Sequence, residues 1–359
     1  MGKENQPARR KRSPRFLEIA EAAGVSPSTV DRVLNERGSV SAATRAKVVA
    51  AARELGVPRV LPDTRHGLVH LDMLLPENDS PFFHRLHRAL QRSIQMLDRR
   101  VVVHRRILPP GDDAAITHAI LAPRYRRHGL AIVTRETEPV REALCRVIAG
   151  GEAVVTMVTD IGEVPRLHYA GIDNYRAGRT AGYFLARLAR RSGRVLFLRS
   201  RVDYRAHTER MNGCHEALAM WSRSLACDPD IAETFDDPDR CYSAVAKAMK
   251  RSGPLAAIYN SGGGSRGVEA ALQRFGGAGI VAWAAHEISD EHRQYLADGT
   301  LDVAIDQDPD NQVISAIQHL LHANGIVESA PPSGPNEFRL YCAENARLEA
   351  YLASEPASP

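Results

Sequence analysis

The chain has 359 residues, a length that favours two or three domains over one. Hydrophobic residues make up 44% and charged residues 25%, the balance of ordinary globular proteins, which excludes disordered, collagen-like and coiled-coil chains. The net charge of +4 is uneven, because residues 1–60 carry +6 and the remainder carries −2. A basic front segment favours a polyanion, nucleic acid above all, as the partner of that segment only.

The sequence predicts a cytoplasmic protein that has no membrane segment, metal or cofactor. No run approaches the roughly 18 apolar residues that span a bilayer, and the basic start leads into no apolar signal segment. The five cysteines are widely spaced and form no CxxC pair. This pattern indicates reduced thiols, not a disulfide framework or a zinc site.

The first elements in the chain are short helices. Residues 1–13 are polar and basic and are predicted to be a flexible arm, followed by a helical domain over 14–57. Phe16, Ile19, Ala20 and Ala23 share one face of a first helix, which Gly24 is expected to end.

The second helix has the clearest start signal. Ser26 is a suitable N-cap and Pro27 suits the first turn, while Val25 and Val30 are spaced as a hydrophobic staple. Val30, Val33 and Leu34 are predicted to face inward. The outward stripe is polar and consists of Ser28, Asp31, Arg32 and Asn35.

A third helix is predicted after Ser41, with Val48, Val49, Ala52 and Leu55 inward and Gly56 as its stop. Three short helices, the first two joined by a tight glycine turn, predict a helix-turn-helix. Such a unit lays its second helix in the major groove of DNA, where Arg32 can donate two hydrogen bonds to guanine.

Beyond a linker over 58–66, short apolar runs alternate with amphipathic helices up to residue 345, and 346–359 is predicted to be a tail. Strands are predicted over 68–75, 101–108, 130–134, 153–158, 195–198, 256–260 and 280–284. Helices are predicted over 82–97, 175–191, 209–221, 243–251 and 268–275. This alternation predicts an α/β domain of parallel sheets flanked by helices, and its length favours two lobes over one sheet. No sequence repeat is evident.

The helical segment resembles the DNA-binding headpiece of the LacI/GalR family of bacterial transcription regulators. The matching run is FLEIAEAAGVSPSTVDRVLNERGSVSAATRAKVVAAARELG, residues 16–56. By this resemblance Pro27, Ser28 and Arg32 are expected at base-reading positions. Thr29, Asn35 and Arg45 are expected at positions that contact the DNA backbone or stabilise the headpiece.

Two departures from the family pattern affect DNA recognition. Asp31 stands where most relatives carry serine, and its carboxylate either accepts from a cytosine amino group or repels phosphate. Pro62 falls where relatives form a short hinge helix, and proline inside a helix costs about 3 kcal/mol. The sequence therefore predicts an extended linker over 58–66.

Residues 67–345 resemble the periplasmic-binding-protein type of effector domain that this family shares with ribose-type sugar-binding proteins. The motifs are PENDSPFF (76–83), GIDNYRAGRTAG (171–182), ERMNG (209–213), NSGGGSRG (260–267) and DGTLDVAIDQDP (298–309). The resemblance implies a small sugar or polyol between two lobes, at the carboxyl ends of strands. The residues expected at that site are Ser80, Phe82, Phe83, Thr159, Asp160, Arg210, Gly262, His286, Glu287 and Gln307.

Several assignments stay open at this point. Each expected ligand contact can equally be a core, capping or solvent-facing residue, and Asp173 and Asn174 are expected to cap a helix. Arginines at 199, 201, 205 and 210 leave room for an acidic or phosphorylated ligand. Gly262, Gly264 and Gly267 spell GxGxxG after a strand, but so late in the chain that a dinucleotide site is disfavoured.

The favoured function is a sequence-specific DNA-binding regulator, expected to be a repressor, whose operator affinity responds to the bound effector. Two headpieces on a homodimer would read a palindromic operator. The alternatives are a solute-binding protein of a sugar transporter and an α/β enzyme that uses the glycine-rich turn at 262–267. No Walker-type phosphate loop or GxSxG nucleophile motif is present, so the sequence predicts no enzyme.

Overall fold

A computed structural model describes residues 16–35, 40–57 and 68–347. They form two compact units: the part up to His70 together with Asp98–Val102, and Leu71–Leu97 together with the part from Val103 onward. The predicted arm 1–13, the linker 58–66 with Pro62, and residues 348–359 of the predicted tail lie outside the described residues.

The front of the chain is helical, as predicted. Its helices are α1 (Phe16–Ala23), α2 (Pro27–Leu34) and α3 (Ala42–Glu54). Gly24 and Gly56 both have φ of 64°, the left-handed conformation that ends α1 and α3. The side chains of Ser26 and Ser41 accept the backbone N–H of the residue three positions on, which confirms both as N-caps.

The three helices pack around a small apolar core. Ile19, Val30, Val33, Val48 and Val49 are at most 1% exposed. Two predicted core residues are wrong, because Phe16 is 38% and Leu55 39% exposed. Each lies at the end of its helix, beyond the region where the helices meet, and Ala51 is buried instead.

The second part of the chain alternates strands and helices. The strands are β1 (Val69–Pro76), β2 (Val101–Leu108), β3 (Gly129–Ile132), β4 (Ala153–Met157), β5 (His168–Ala170), β6 (Gly193–Arg199), β7 (Leu225–Glu233), β8 (Leu255–Asn260), β9 (Ala282–His286), β10 (Val303–Asp306) and β11 (Arg339–Tyr341). The helices are α4 (Pro81–Gln95), α5 (Asp113–Leu121), α6 (Glu138–Ala149), α7 (Asn174–Leu188), α8 (Arg205–Trp221), α9 (Pro238–Lys250), α10 (Ser265–Arg274), α11 (Asp290–Ala297) and α12 (Pro309–Ala323).

The strands form two sheets with the same winding. One has the order β2-β1-β3-β4-β5, and the other has the order β7-β6-β8-β9-β10-β11. The first five strands of the second sheet therefore repeat the order of the first, a doubly wound arrangement, although the sequence shows no repeat. The strand pairs β1/β3, β3/β4, β6/β8 and β8/β9 are parallel, and β11 is an antiparallel edge strand.

The chain crosses between the two sheets after β5 and after β10, and it crosses back after α12 to form β11. Helix α7 packs on β8, β9 and β10 of the second sheet, whereas α12 returns to pack on β3, β4 and β5 of the first. These crossings build a two-lobed body with a first lobe around β1–β5 and a second around β6–β11. The predicted two-lobed α/β fold is confirmed.

Four strands were not predicted, namely β5, β7, β10 and β11. Strand β7 contains Asp228, Pro229 and Asp230 and lies at a sheet edge, where proline is tolerated because one side of the strand needs no partner. Strands β5, β10 and β11 have three or four residues, too few for a detectable period, and exist because longer neighbours pair with them.

Helices α7 and α8 approach each other closely at their glycines, so a larger residue there should destabilise the fold. A Cβ on Gly178 would overlap the carbonyl oxygen of Arg210 on α8. Because backbone atoms cannot yield as a flexible side chain does, we expect Gly178→Ala to lower the free energy of unfolding by about 2 kcal/mol or more. Urea denaturation measures it. Gly111→Ala is the control, since nothing lies within 4 Å of a Cβ there, and equal effects would contradict the close approach.

Candidate functional site

The outer surface of α2 begins with a hydrogen-bonded cap. The hydroxyl of Ser26 accepts the backbone N–H of Thr29 at 3.2 Å and lies 2.8 Å from the Ser28 hydroxyl. The Thr29 hydroxyl is also within hydrogen-bonding distance of Ser26, at 2.9 Å. Pro27 and Ser28, two of the three predicted base-reading positions, are exposed at the start of the helix, and Thr29 is half-buried beside the cap.

Arg32 and Asn35 are exposed on the same helix, whose other side holds the buried Val30, Val33 and Leu34. Asp31 is half-buried, and its carboxylate accepts the side-chain amide of Asn35 at 2.5 Å. The carboxylate that departs from the family pattern is therefore tied to its neighbour one turn along.

Arg45 lies on α3 and is half-buried. Its Nη1 is buried and has no hydrogen-bond partner among the described residues. This position suits a residue that supports the headpiece or reaches the DNA backbone.

A cavity of about 760 Å³ lies between the two lobes of the body. It is lined by loops that follow β1, β4, β6, β8, β9 and β10, the place where open α/β sheets bind ligands. The volume is within the usual range for small-molecule sites. The predicted residues that line it are Ser80, Phe82, Phe83, Thr159, Arg210, Gly262, His286, Glu287 and Gln307.

The first lobe contributes an apolar wall and a hydroxyl. Phe82 and Phe83 lie in the first turn of α4 with their rings edge to face at 5.3 Å, and each is 8% exposed. Ser80 is the N-cap residue of α4, but its side chain makes no capping hydrogen bond. Its backbone N–H donates to Asn78 at 2.8 Å. The Ser80 hydroxyl is thus not used by the helix start.

Arg210 of α8 forms the centre of the polar floor. Its Nε donates to Asn174 Oδ1 at 2.8 Å, Nη1 to the Ser261 carbonyl at 2.8 Å and Nη2 to Gln307 Oε1 at 2.5 Å. Asn174 and Gln307 lie where the chain crosses between the lobes. Burial lowers the pKa of Arg210, since its partners are neutral.

His286 and Glu287 follow β9 and are buried in the wall of the cavity. His286 Nε2 lies 2.8 Å from the Tyr259 hydroxyl, and burial lowers the pKa of this histidine well below its usual range. Glu287 has φ of 79°, a left-handed conformation that is unusual for a side-chain-bearing residue. Among the described residues, the buried atoms His286 Nδ1 and Glu287 Oε2 have no hydrogen-bond partner.

Asp160 was expected at the ligand site but does not line the cavity. Its carboxylate accepts the Thr156 hydroxyl at 2.8 Å and the Ile161 N–H at 2.9 Å, and it pairs with Arg166. With these local contacts, Asp160 is not among the residues that line the cavity. Asp173 caps α7, as predicted, by accepting the Arg176 N–H at 2.8 Å.

The glycine-rich turn before α10 has structural reasons for its glycines. Gly264 has φ of 78°, and a Cβ on Gly267 would overlap the carbonyl oxygen of Pro238 on α9. The Gly263 N–H donates to Asp236 Oδ1 at 2.6 Å. A carboxylate of the chain thus already accepts a backbone N–H of this turn, which disfavours a second anion such as a pyrophosphate there.

Sequence reasoning missed two histidines that line the cavity, His207 and His292. His207 Nδ1 lies 3.0 Å from the Ser261 hydroxyl, and His292 Nδ1 lies 2.6 Å from the Glu287 carbonyl oxygen. Burial lowers the pKa of each to about 4. Neither belongs to a quoted motif, although His207 stands two residues before ERMNG, so no local signal marked them.

These pKa shifts predict acid sensitivity. Between pH 6.5 and about 4 the unfolded chain takes up protons on these histidines that the folded chain does not. The free energy of unfolding should therefore fall as the pH falls through this window, by about 3 kcal/mol for each histidine. Urea denaturation at several pH values measures the slope. His292→Asn, which keeps a donor for the Glu287 carbonyl, should flatten it, and the exposed His118→Asn should not; equal slopes would contradict the assignment.

Neither a metal-binding cluster nor a membrane-spanning helix is found among the described residues. No group of three or more His, Cys, Asp or Glu side chains in this part of the chain is arranged to hold a metal ion. No helix within residues 16–35, 40–57 and 68–347 is both long and apolar enough to cross a bilayer.

Comparison with protein families matches both parts of the chain. Residues 16–57 match the family "Bacterial regulatory proteins, lacI family", and residues 72–325, more than half of the chain, match the family "Periplasmic binding protein domain".

The curated relatives are matched over short segments. They include the HTH-type transcriptional regulator MalR of Streptomyces coelicolor, 40% identical over 82 residues (22% of this chain and 23% of the relative). The ribose operon repressor of Bacillus subtilis is 37% identical over 90 residues (24% and 27%). That of Escherichia coli is 32% identical over 134 residues (36% and 40%). The chain thus aligns with less than half the length of each of these relatives.

Solved structures match nearly the whole body. An ABC transporter solute-binding protein of Burkholderia graminis in complex with D-arabinose has a TM-score of 0.69 at 19% identity, over 78% of this chain and 97% of that one. GanP, a glucose-galactose binding protein of Geobacillus stearothermophilus, has a TM-score of 0.68 at 17% identity, over 78% and 99%. At such identities the likeness establishes the fold of the body.

Proposed function

Because this chain belongs to the periplasmic binding protein domain family and carries a lacI-family headpiece before that domain, we propose that it is a transcriptional regulator controlled by a small ligand. The headpiece binds operator DNA in the cytoplasm, and the cleft binds the effector. The observation that carries the proposal is the presence in one chain of a capped helix with an exposed Arg32 and a two-lobed body with a large cleft.

The cleft favours a neutral sugar or polyol over the acidic ligands that the sequence left open. Arg201 pairs with Asp203 at 2.9 Å, Arg205 with Glu209 at 2.7 Å and Arg266 with Glu291 at 2.7 Å. These three cations are paired with carboxylates, whereas Arg210 gives its hydrogen bonds to neutral partners and Glu287 Oε2 has no partner among the described residues. Both groups suit the hydroxyls of a sugar or polyol. Phe82 and Phe83 offer a flat apolar wall for a sugar ring.

The relatives support the same assignment. The matched regulators include repressors of ribose operons, and solved neighbours of the body hold D-arabinose, D-allose or myo-inositol. We expect a homodimer, because one short helix contacts too few base pairs for a specific operator and two headpieces can read a palindrome.

Two measurements on the full chain test the proposal. Fluorescence anisotropy with the DNA upstream of its own gene should show binding that weakens steeply with salt, as phosphate contacts release counterions. A thermal-shift screen of D-ribose, D-arabinose, D-allose, D-tagatose and myo-inositol should raise the melting temperature with at least one sugar, and that sugar should change the affinity for DNA.

The outcomes separate the alternatives. Sugar binding without any DNA binding would favour a solute-binding protein of a transporter. Saturable binding of a nicotinamide dinucleotide would favour an enzyme, and it would contradict the occupation of the glycine-rich turn by the Asp236 carboxylate. The curated relatives named above are transcriptional regulators and repressors.

A further inference from the structure

Arg85 on α4 connects the two lobes beside the cleft. Its Nη1 contacts Glu287 Oε1 and lies 2.6 Å from Asp306 Oδ1, and its Nη2 lies 3.4 Å from Asp306 Oδ2. Helix α4 belongs to the first lobe, whereas Glu287 and Asp306 stand at the ends of β9 and β10 in the second. One guanidinium therefore holds two carboxylates of the opposite lobe.

The charged groups of this contact are largely shielded from water. Asp306 is 2% and Glu287 5% exposed, and the side chain of Arg85 is 22% exposed. Two neighbouring carboxylates repel each other where water is excluded, and an opposite charge beside them offsets that repulsion. If the lobes part, Arg85 leaves and the two carboxylates remain together without their cation.

The two oxygens of Glu287 are used differently. Oε1 faces Arg85, while Oε2 is buried and has no partner among the described residues. The backbone is fixed as well, because the Glu287 N–H donates to the Ile305 carbonyl at 2.8 Å. Glu287 is thus a residue of the cleft lining that also contacts the opposite lobe through Oε1.

We propose that Arg85 is the positioning residue through which ligand occupancy controls lobe closure. A ligand hydroxyl donates to Glu287 Oε2, and Arg85 holds Oε1 of the same carboxylate from the first lobe. Ligand binding and the interlobe ion pair then both fix the orientation of the Glu287 carboxylate. Both therefore favour the same arrangement of the lobes. The proposal rests on the ligand-controlled regulation proposed above, and it extends that function to a residue outside the cavity wall.

The chain offers a matched control on the same helix. Arg92, about two turns further along α4, pairs with Asp310 at the start of α12, which packs on the first lobe. Both members of that pair are more than one third exposed, and neither lines the cleft. Arg92→Met removes a similar ion pair from α4 without touching the interlobe contact.

The first test needs no ligand. Hydrogen–deuterium exchange of the full chain should show faster exchange in peptides containing 286–289 and 304–308 in Arg85→Met than in wild type or Arg92→Met. Arg85→Lys, which keeps the charge but not the forked geometry, should fall between them. Equal exchange in Arg85→Met and Arg92→Met would overturn the bridge. If Arg85→Met unfolds, exchange will be fast throughout the chain, and the comparison of Arg85→Lys with wild type then decides.

The second test uses the sugar that gives the largest thermal shift among the five named above. The change in operator affinity caused by this sugar should shrink at least about five-fold in Arg85→Met, the lower end of ordinary allosteric coupling, and stay unchanged in Arg92→Met. A wild-type chain that ignores every sugar would contradict the proposed sensing function. A responsive wild type with an equally responsive Arg85→Met would contradict the role of Arg85 alone.

Discussion

Arg32→Ala is expected to lower the affinity for operator DNA by about 10- to 100-fold, the range that a bidentate arginine–guanine contact supplies. The guanidinium is exposed on α2 and has no ion pair with a described residue. Val30 and Val33 anchor the opposite side of the helix, so alanine should leave the headpiece folded. Anisotropy with the upstream DNA and with a scrambled duplex measures specific and non-specific binding.

Arg53→Ala is the matched control, because Arg53 is exposed on α3 and its loss removes the same charge. We expect it to weaken both duplexes slightly and equally, as a phosphate contact or a long-range charge does. Arg32→Ala should instead reduce the preference for the operator over the scrambled duplex. If both variants lose affinity alike, Arg32 contributes charge only, and base reading by α2 is wrong.

Arg210→Ala is expected to lower the free energy of unfolding by about 3 kcal/mol, because each buried acceptor that loses its donor costs roughly 1–3 kcal/mol. Three acceptors would lose it, on Asn174, Ser261 and Gln307. A water molecule from the cleft can satisfy some of them, which keeps the expected loss below the full sum. Urea denaturation of the full chain measures the change.

Arg205→Ala on the same helix is the control, since its ion pair with Glu209 is partly exposed and spans one turn. Pairs of this kind contribute about 0.3–0.5 kcal/mol. Arg210 hydrogen-bonds to Asn174 after β5 and to Gln307 after β10, where the chain passes between the lobes, whereas Arg205 does not. An Arg210→Ala chain as stable as Arg205→Ala would show that the buried hydrogen bonds of Arg210 are not stabilising.

The helix ends and the polar stripe of α2 were predictable from the sequence. Ser26, Ser41 and Asp173 each cap a helix through a hydrogen bond to a residue three positions away, so the signal and the contact lie in the same short segment. Gly24 and Gly56 end helices for an equally local reason, their left-handed backbone. Most long strands were predicted because buried parallel strands are continuous apolar runs.

The cleft was predictable only in part. Motifs around Phe82, Arg210 and Gln307 indicated residues that do line it, but Asp160 carried the same kind of signal and is held away by Thr156, Ile161 and Arg166. The function of these side chains in ligand binding remains a prediction.

By itself the sequence determined the headpiece, the α/β class of the body and the polar stripe of α2, because caps, turns and hydrophobic periods act over a few neighbouring residues. Only the tertiary structure decided that Arg85 meets Glu287 and Asp306, and that His207 and His292 face the cleft. Those contacts depend on strand order and on the crossings between the sheets, which bring together residues about 200 positions apart. No local pattern encodes contacts over that separation, because they form only when both lobes have folded.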